Sequence, residues 1–194
     1  MKKRKTRTRS MYPGLERPFS HAMRLAEQEA MKQRKLLRSQ QKPPQSPSPT
    51  SAPTFSRNQK SLLEKIRKAK RIFIIGNGGS YANAIHIAND LNAVGKAAFT
   101  LDPATLTATA NDYGFHFVFE RWINTVGKKG DLLIALSGSG TSPNILRGLA
   151  CAKRMGMNVH LITWYLKDGM DMQLSEEAQL VIGHEMMRQL RDRR

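Results

Sequence analysis

The chain contains the same arrangement twice: an apolar run, then a loop rich in glycine or serine, then a helical segment. The first apolar run is Arg71-Ile72-Phe73-Ile74-Ile75, and the second is residues 131–136. Uninterrupted runs of this kind predict strands buried on both faces, as in a parallel sheet. The same reasoning predicts strands at 97–101 and 158–162 and helices at 58–70, 80–92, 104–111, 116–127 and 142–155. The alternation predicts an α/β fold with a doubly wound, Rossmann-like parallel sheet.

Charge divides the chain into two unlike parts. Residues 1–70 carry 19 basic and 4 acidic side chains, a net of +15, whereas 71–194 carry 13 and 11, a net of +2. The composition of 20–41 favours a helix, and five prolines within 42–53 mark an extended linker. We therefore expect a basic, largely disordered or helical arm over 1–56, followed by the folded domain over 57–194.

The surroundings in which the protein works are constrained by the same composition. The basic arm should attract nucleic acid or an acidic protein, with residues 1–41 as the contact. No apolar run reaches the length of a membrane span, and the basic start lacks the apolar core of a secretory signal. The lone Cys151 lies in an apolar helical stretch, where a buried structural thiol is expected. We expect a cytoplasmic protein in a reducing compartment.

The two loops together predict a phosphate site. Glycines in Gly76-Asn77-Gly78-Gly79-Ser80 permit close backbone approach, and the helix N-terminus that follows offers free N–H groups. The second loop, 137–142, holds four hydroxyl residues within six, and Ser142 can cap the helix that begins at Pro143. Neither the dinucleotide pattern, which needs glycine at position 81, nor the Walker pattern is present. A plain turn from strand to helix would need only one glycine.

These loops and their surroundings resemble the SIS (sugar isomerase) domain, specifically its phosphoheptose isomerase branch. The similarity runs from near Arg71 to about residue 182. It rests on GNGGSYANAIHIANDL at 76–91, ANDYGFHFVFERW at 110–122, VGKKGDLLIALSGSGTSPNIL at 126–146 and GMNVHLIT at 156–163. The resemblance implies a protein that binds a sugar phosphate such as sedoheptulose 7-phosphate. It also implies self-association, with sites at subunit boundaries.

The resemblance implies a set of substrate-binding residues. Ser80, Ser137, Ser139 and Ser142 would hold the phosphate, while Asn77 and Asp112 would lie near the sugar hydroxyls. The full set is Asn77, Gly78, Gly79, Ser80, Asp112, Ser137, Gly138, Ser139, Thr141 and Ser142. Gly138 replaces a hydroxyl residue common in these isomerases, so the phosphate site loses one side-chain donor.

Isomerisation between a ketose phosphate and an aldose phosphate needs a base over the substrate and an acid for its oxygen. The family uses a glutamate late in the first helix, and Asp90 occupies that position with a reach shorter by roughly an ångström. His86 lies four residues earlier on the same helix face. Relatives with metal use this pair as ligands, although a His/Asp pair alone would hold zinc weakly. Ordinary structural roles for both side chains stay open.

The family's catalytic histidine lies on a C-terminal helix, and two registers are open for that part of this chain. In the first, 178–182 is a fifth strand, and the helix with the histidine is missing. In the second, 175–190 is the final helix, and His184 takes the catalytic place with Glu176 eight residues before it. The Leu-Val-Ile run at 180–182 lies where the family usually has its fifth strand, and this favours the first register.

Two functions are open from the sequence. One is a sugar-phosphate isomerase that resembles phosphoheptose isomerase. The alternative is a non-catalytic SIS scaffold, tethered to nucleic acid or to an acidic partner by the basic arm. The substitution at Asp90 and the uncertain place of His184 leave turnover itself undecided.

Overall fold

The predicted alternation of helices and strands is present. The computed structural model describes Lys32 and residues 57–163 and 172–191, and apart from Lys32 all of these belong to the unit Lys42–Arg194. The helix predicted over 20–41, except for Lys32, and the linker at 42–56 lie outside the described residues. The elements are α1 Arg57–Lys68, β1 Ile72–Ile75, α2 Gly79–Ala93, β2 Ala98–Thr100, α3 Pro103–Tyr113, a 3-10 turn Phe115–Phe117, α4 Val118–Val126, β3 Leu132–Leu136, α5 Pro143–Arg154, β4 Asn158–Ile162 and α6 Met172–Arg191.

The described strands form one parallel sheet in the order β2-β1-β3-β4. Ile72 of β1 is paired with Ala98 of β2 on one side and with Leu132 of β3 on the other. Every residue of β1 and β3 is buried, as their uninterrupted apolar runs predict. Because these two strands are neighbours, the loops that follow them leave the sheet side by side.

Helices cover both faces of the sheet, which confirms the doubly wound α/β architecture. Ile72 and Ile74 of β1 pack in one core with α1, α2 and α6. Phe73 and Ile75 point the other way, into a second core with α4 and α5. Alternate side chains of one strand therefore bind both layers to the sheet. Full burial of each such side chain stabilises the fold by about 1.5–3 kcal/mol.

Two other expectations concern the burial of the cysteine and the absence of membrane spans. Cys151 is buried, and its burial raises the pKa of the thiol, as a structural rather than reactive cysteine requires. Among the described helices, none combines the length and apolar character that a membrane span demands.

The C-terminal segment corrects the strand that the sequence favoured. Residues 178–182 lie within helix α6, so the described sheet has no fifth strand there and the second register is the correct one. The buried residues of the helix are Ser175, Gln179, Gly183 and Met186, spaced four, four and three apart. Val181, at the centre of the Leu-Val-Ile run, is 62% exposed. The run is therefore one turn of a helix that buries one stripe, not a strand buried on both faces.

Helix α6 packs beside α2, and the two helices run in the same direction. Near their starts, Asn83 Nδ2 donates to Glu176 O at 2.8 Å, and further along His86 Nε2 lies 2.9 Å from His184 Nε2. Gly183 makes this approach possible, since a Cβ there would lie 2.5 Å from Ile87 Cγ1. The absence of a side chain at Gly183 thus sets how closely His184 approaches His86.

We expect Gly183→Val to destabilise the domain by about 1–3 kcal/mol, because the added branch forces Ile87 and α6 apart. Urea denaturation of the full chain measures the free energy of unfolding. Val181→Ile, which adds bulk at an exposed position of the same helix, serves as the control and should leave it within about 0.5 kcal/mol of the original. Equal effects of the two substitutions would contradict this role for Gly183.

Candidate functional site

The two predicted loops lie at the carboxyl ends of β1 and β3, where ligands bind in sheets of this kind. Gly78 precedes α2 with φ of 57°, a conformation that favours glycine. Pro143 is the first residue of α5, as predicted, and Ser142 is its N-cap residue. Two helices therefore begin directly after adjacent loops, with their free N–H groups at the same edge of the sheet.

A reciprocal pair of amides joins the two loops. Asn77 Nδ2 donates to Asn144 Oδ1 at 3.0 Å, and Asn144 Nδ2 donates to Asn77 Oδ1 at 2.8 Å. Asn144 Oδ1 also accepts from the backbone N–H of Ile145, and Asn144 is buried. The amide of Asn77, expected near the sugar hydroxyls, is thus used to hold the first loop against α5. Asn144 could not be found from the sequence, because nothing local shows that an asparagine one residue after a proline is buried.

The hydroxyl residues keep donors free for a ligand. Ser80 and Ser137 are both buried. Ser137 Oγ accepts from Gly140 N–H at 3.0 Å, and Ser139 Oγ accepts from Thr141 N–H at 3.2 Å. In each bond the serine is the acceptor, so its own O–H can still donate to an anion. Ser142 makes no side-chain capping bond, contrary to the role expected for it, which leaves that hydroxyl available too.

The first turns of α6 lie over both loops. A Cβ at Gly138 would meet Met172 Sδ at 2.5 Å, so glycine at this position gives room for α6. A Cβ at Gly79 would collide with the carboxylate of Glu176. Glu176 therefore places a negative charge at the first turn of α2, where the helix dipole favours an anion. The spacing of Glu176 from His184 was visible in the sequence, but its contact with Gly79 was not.

Further along the same two helices, Asp90, His86 and His184 form a cluster. Asp90 Oδ2 lies 3.4 Å from His86 Nε2 and 3.6 Å from His184 Nε2. One ligand-type atom from each residue lies within 4.8 Å of the others. Asp90 Oδ2 is buried and has no hydrogen-bond partner among the described residues. The structure thus brings the predicted catalytic pair, Asp90 and His184, together with the predicted metal residue, His86.

Asp112 is the predicted site residue that the structure does not bring to the loops. It is exposed near the end of α3, a helix with no buried residue. Its side chain accepts from Asn111 Nδ2 at 3.0 Å, and within residues 57–163 no hydrogen bond links it to either loop. A place for Asp112 near the sugar hydroxyls stays a prediction.

Comparison with known proteins identifies the domain. A sequence profile described as the SIS domain matches residues 46–163, more than half of the chain. The chain belongs to the SIS domain family. The match ends before α6, so the SIS assignment does not depend on His184 or on Glu176.

Curated relatives narrow the branch of the SIS family. The chain is 37% identical over 130 residues to the phosphoheptose isomerase of Pectobacterium atrosepticum, covering 63% of this chain and 66% of that protein. It is 43% identical over 104 residues to phosphoheptose isomerase 1 of Campylobacter jejuni, covering 50% and 56%. The chain thus spans between half and two thirds of the length of these two relatives.

A solved structure agrees with this placement. The phosphoheptose isomerase GmhA from Neisseria gonorrhoeae superposes with a TM-score of 0.62 at 26% identity. The superposition covers 91% of this chain and 98% of GmhA. The sequence resemblance to the phosphoheptose isomerase branch is therefore confirmed, together with the fold.

The carboxylate of Glu176 should compete with a bound phosphate. We expect Glu176→Gln to tighten the binding of inorganic phosphate about tenfold, because it removes a like charge from the first turn of α2. Isothermal titration calorimetry on the full chain measures the affinity. Glu177→Gln is the matched control, since Glu177 is exposed and adjacent and has no such contact. Weaker phosphate binding in Glu176→Gln would show that the carboxylate does not oppose the anion.

Proposed function

We propose that this chain is a sugar-phosphate isomerase that interconverts a ketose phosphate and an aldose phosphate, with sedoheptulose 7-phosphate as the representative substrate. One observation carries the proposal: the first of the two phosphate loops leads directly into α2, and the same helix carries Asp90, which lies 3.6 Å from His184 of α6. Kinship with phosphoheptose isomerases supports the same reaction. The non-catalytic scaffold is not favoured, because the site retains both a carboxylate and a histidine in contact.

The spacing along α2 favours a long, open-chain substrate. His86 and Asp90 follow Ser80 by six and ten residues, which correspond to about 9 and 15 Å of helix. A phosphate held at Ser80 is therefore well separated from the acid–base groups. An open seven-carbon sugar has six carbon–carbon bonds of about 1.5 Å each, which suits this separation better than a three-carbon substrate.

Asp90 and His184 supply the two proton transfers. Asp90 removes a proton from the carbon beside the carbonyl, while His184 gives a proton to the carbonyl oxygen, and an enediol results. Asp90 then returns its proton to the former carbonyl carbon, and His184 accepts one from the neighbouring hydroxyl. Each group ends in its starting state. The unpaired, buried Asp90 Oδ2 suits this role, because no hydrogen bond to a described residue competes for its lone pairs.

The cluster also fits a divalent cation such as zinc. His86, Asp90 and His184 offer the nitrogen and oxygen ligands that zinc takes, and the unpaired Asp90 oxygen lies within reach of both imidazoles. Asp90 and His86 alone would bind zinc weakly, so His184 is the addition that makes the set adequate. A cation held there would supply charge to polarise the substrate's oxygens. It would also occupy the Asp90 oxygen and the His184 nitrogen, so metal binding and the proton transfers by these two residues are alternative uses of the cluster.

We expect Asp90→Asn to lower kcat for sedoheptulose 7-phosphate by at least about a hundredfold while leaving its binding within a few fold, because the amide cannot accept the proton. Asp90→Glu keeps the carboxylate and should retain turnover. Ser139→Ala should instead weaken binding, which calorimetry separates from the assay for the aldose phosphate. Binding without turnover in the unaltered chain would favour the non-catalytic scaffold.

We further propose that the basic arm contacts nucleic acid or an acidic protein. The support is the charge of 1–70, +15 from 19 basic and 4 acidic side chains, beside a nearly neutral remainder.

We also propose that the chain self-associates. Phe115, which is 51% exposed, and the exposed Val181 supply apolar surface for this contact. A cytoplasmic location agrees with the single, buried cysteine.

The arm is tested by salt dependence. We expect the full chain to bind duplex DNA with an affinity that falls steeply as the salt concentration rises. In a plot of the logarithm of the binding constant against the logarithm of the salt concentration, each phosphate contact should contribute about −0.9 to the slope. Replacing the six basic residues of 2–9 by glutamine should flatten that slope. Neutralising the exposed Lys128 and Lys129 of the domain is the control and should change it little. An unaltered slope in this variant would exclude residues 2–9 as the nucleic-acid contact.

A further inference from the structure

Ser175 on α6 carries a buried hydroxyl that nothing in the fold explains. The residue has 0% of its surface exposed, and its Oγ has no hydrogen-bond partner among the described residues. A buried polar group without a partner costs free energy, because the hydroxyl gives up its bonds to water and gains none in return. Such a group suggests a partner that is absent from the free protein.

The hydroxyl lies against the second phosphate loop. Ser175 Oγ is 3.0 Å from the position that a Cβ on Gly138 would occupy. Gly138 lies between Ser137 and Ser139, whose own hydroxyls accept from loop N–H groups. Ser175 therefore places an unused donor beside Gly138, the residue between the two loop serines.

We propose that Ser175 is a further phosphate-binding residue, whose O–H donates to the phosphate held by the two loops and supplies the donor that Gly138 lacks. The inference rests on the proposed sugar-phosphate function and names a part of that same site. Gly138 and Ser175 form a complementary pair, because the missing side chain leaves the room that the serine on α6 enters.

The side chain of Met172 covers this position in the free protein. Its Sδ lies 2.5 Å from the same hypothetical Cβ on Gly138, and Met172 is 39% exposed. Methionine is unbranched and adapts readily, so an entering phosphate can displace its thioether without moving the helix. Ser175, three residues further along α6, borders the same position and then meets the ligand.

The alternative is a serine that only fills space in the packing of α6. The two roles predict opposite changes when the hydroxyl is removed. A serine that binds phosphate should, on change to alanine, lose affinity for the ligand while the free protein becomes no less stable, because an unpaired buried donor has been deleted. A serine that only packs should leave affinity unchanged.

The experiment compares Ser175→Ala with the unaltered full chain, using calorimetry with sedoheptulose 7-phosphate, with sedoheptulose and with inorganic phosphate. We expect about ten- to a hundredfold weaker binding of the two phosphate-bearing probes, the size typical of a hydrogen bond to a charged group. Binding of sedoheptulose should be unchanged. Thermal unfolding of the free variant should occur at the same or a higher temperature.

Two controls separate this inference from the proposed function. Thr125→Ala removes an exposed hydroxyl on α4 and should alter nothing, whereas Ser139→Ala removes a loop hydroxyl and should weaken phosphate binding. If Ser139→Ala weakens binding and Ser175→Ala does not, the proposal for Ser175 is overturned and the sugar-phosphate site stands. If the unaltered chain binds neither phosphate-bearing probe, both are overturned.

Discussion

The packing of α6 alongside α2 is the contact on which the site depends. Gly183 lets α6 approach Ile87, and Asn83 binds the backbone of α6 near its start. Because the two helices run in the same direction, the start of α6 reaches the phosphate loops while its middle reaches Asp90. One interface therefore positions both the residues of α6 that lie over the loops and the contact between His184 and Asp90.

Side-chain contacts between distant segments hold the two loops in place. The reciprocal amide bonds of Asn77 and Asn144 tie the first loop to α5, so two segments far apart in sequence are held side by side. Above them, Glu176 lies at the first turn of α2 with the charge sign that a helix start favours. A carboxylate of the protein itself thus lies near the place proposed for phosphate.

Much of the fold and part of the site could be predicted from the sequence. The buried runs at Ile72–Ile75 and Leu132–Leu136 and the loops after them are local signals, and both were located correctly. The segment around Val181 was not, because a short apolar run has no period that separates a strand from a turn of helix. The amide pair of Asn77 and Asn144 was missed, because it joins two residues that are 67 positions apart in the sequence.

By itself, then, the sequence determined the parallel sheet, the two phosphate loops and membership of the phosphoheptose isomerase-like branch of SIS domains, since these follow from patterns within about twenty residues. Only the tertiary structure decided that His184 meets His86 and Asp90, that Glu176 lies over Gly79, and that the hydroxyl of Ser175 enters the space left at Gly138. The physical reason is separation: His86 and His184 are 98 residues apart. Contacts between residues so far apart in the sequence are fixed by how helices pack, which no local sequence pattern records.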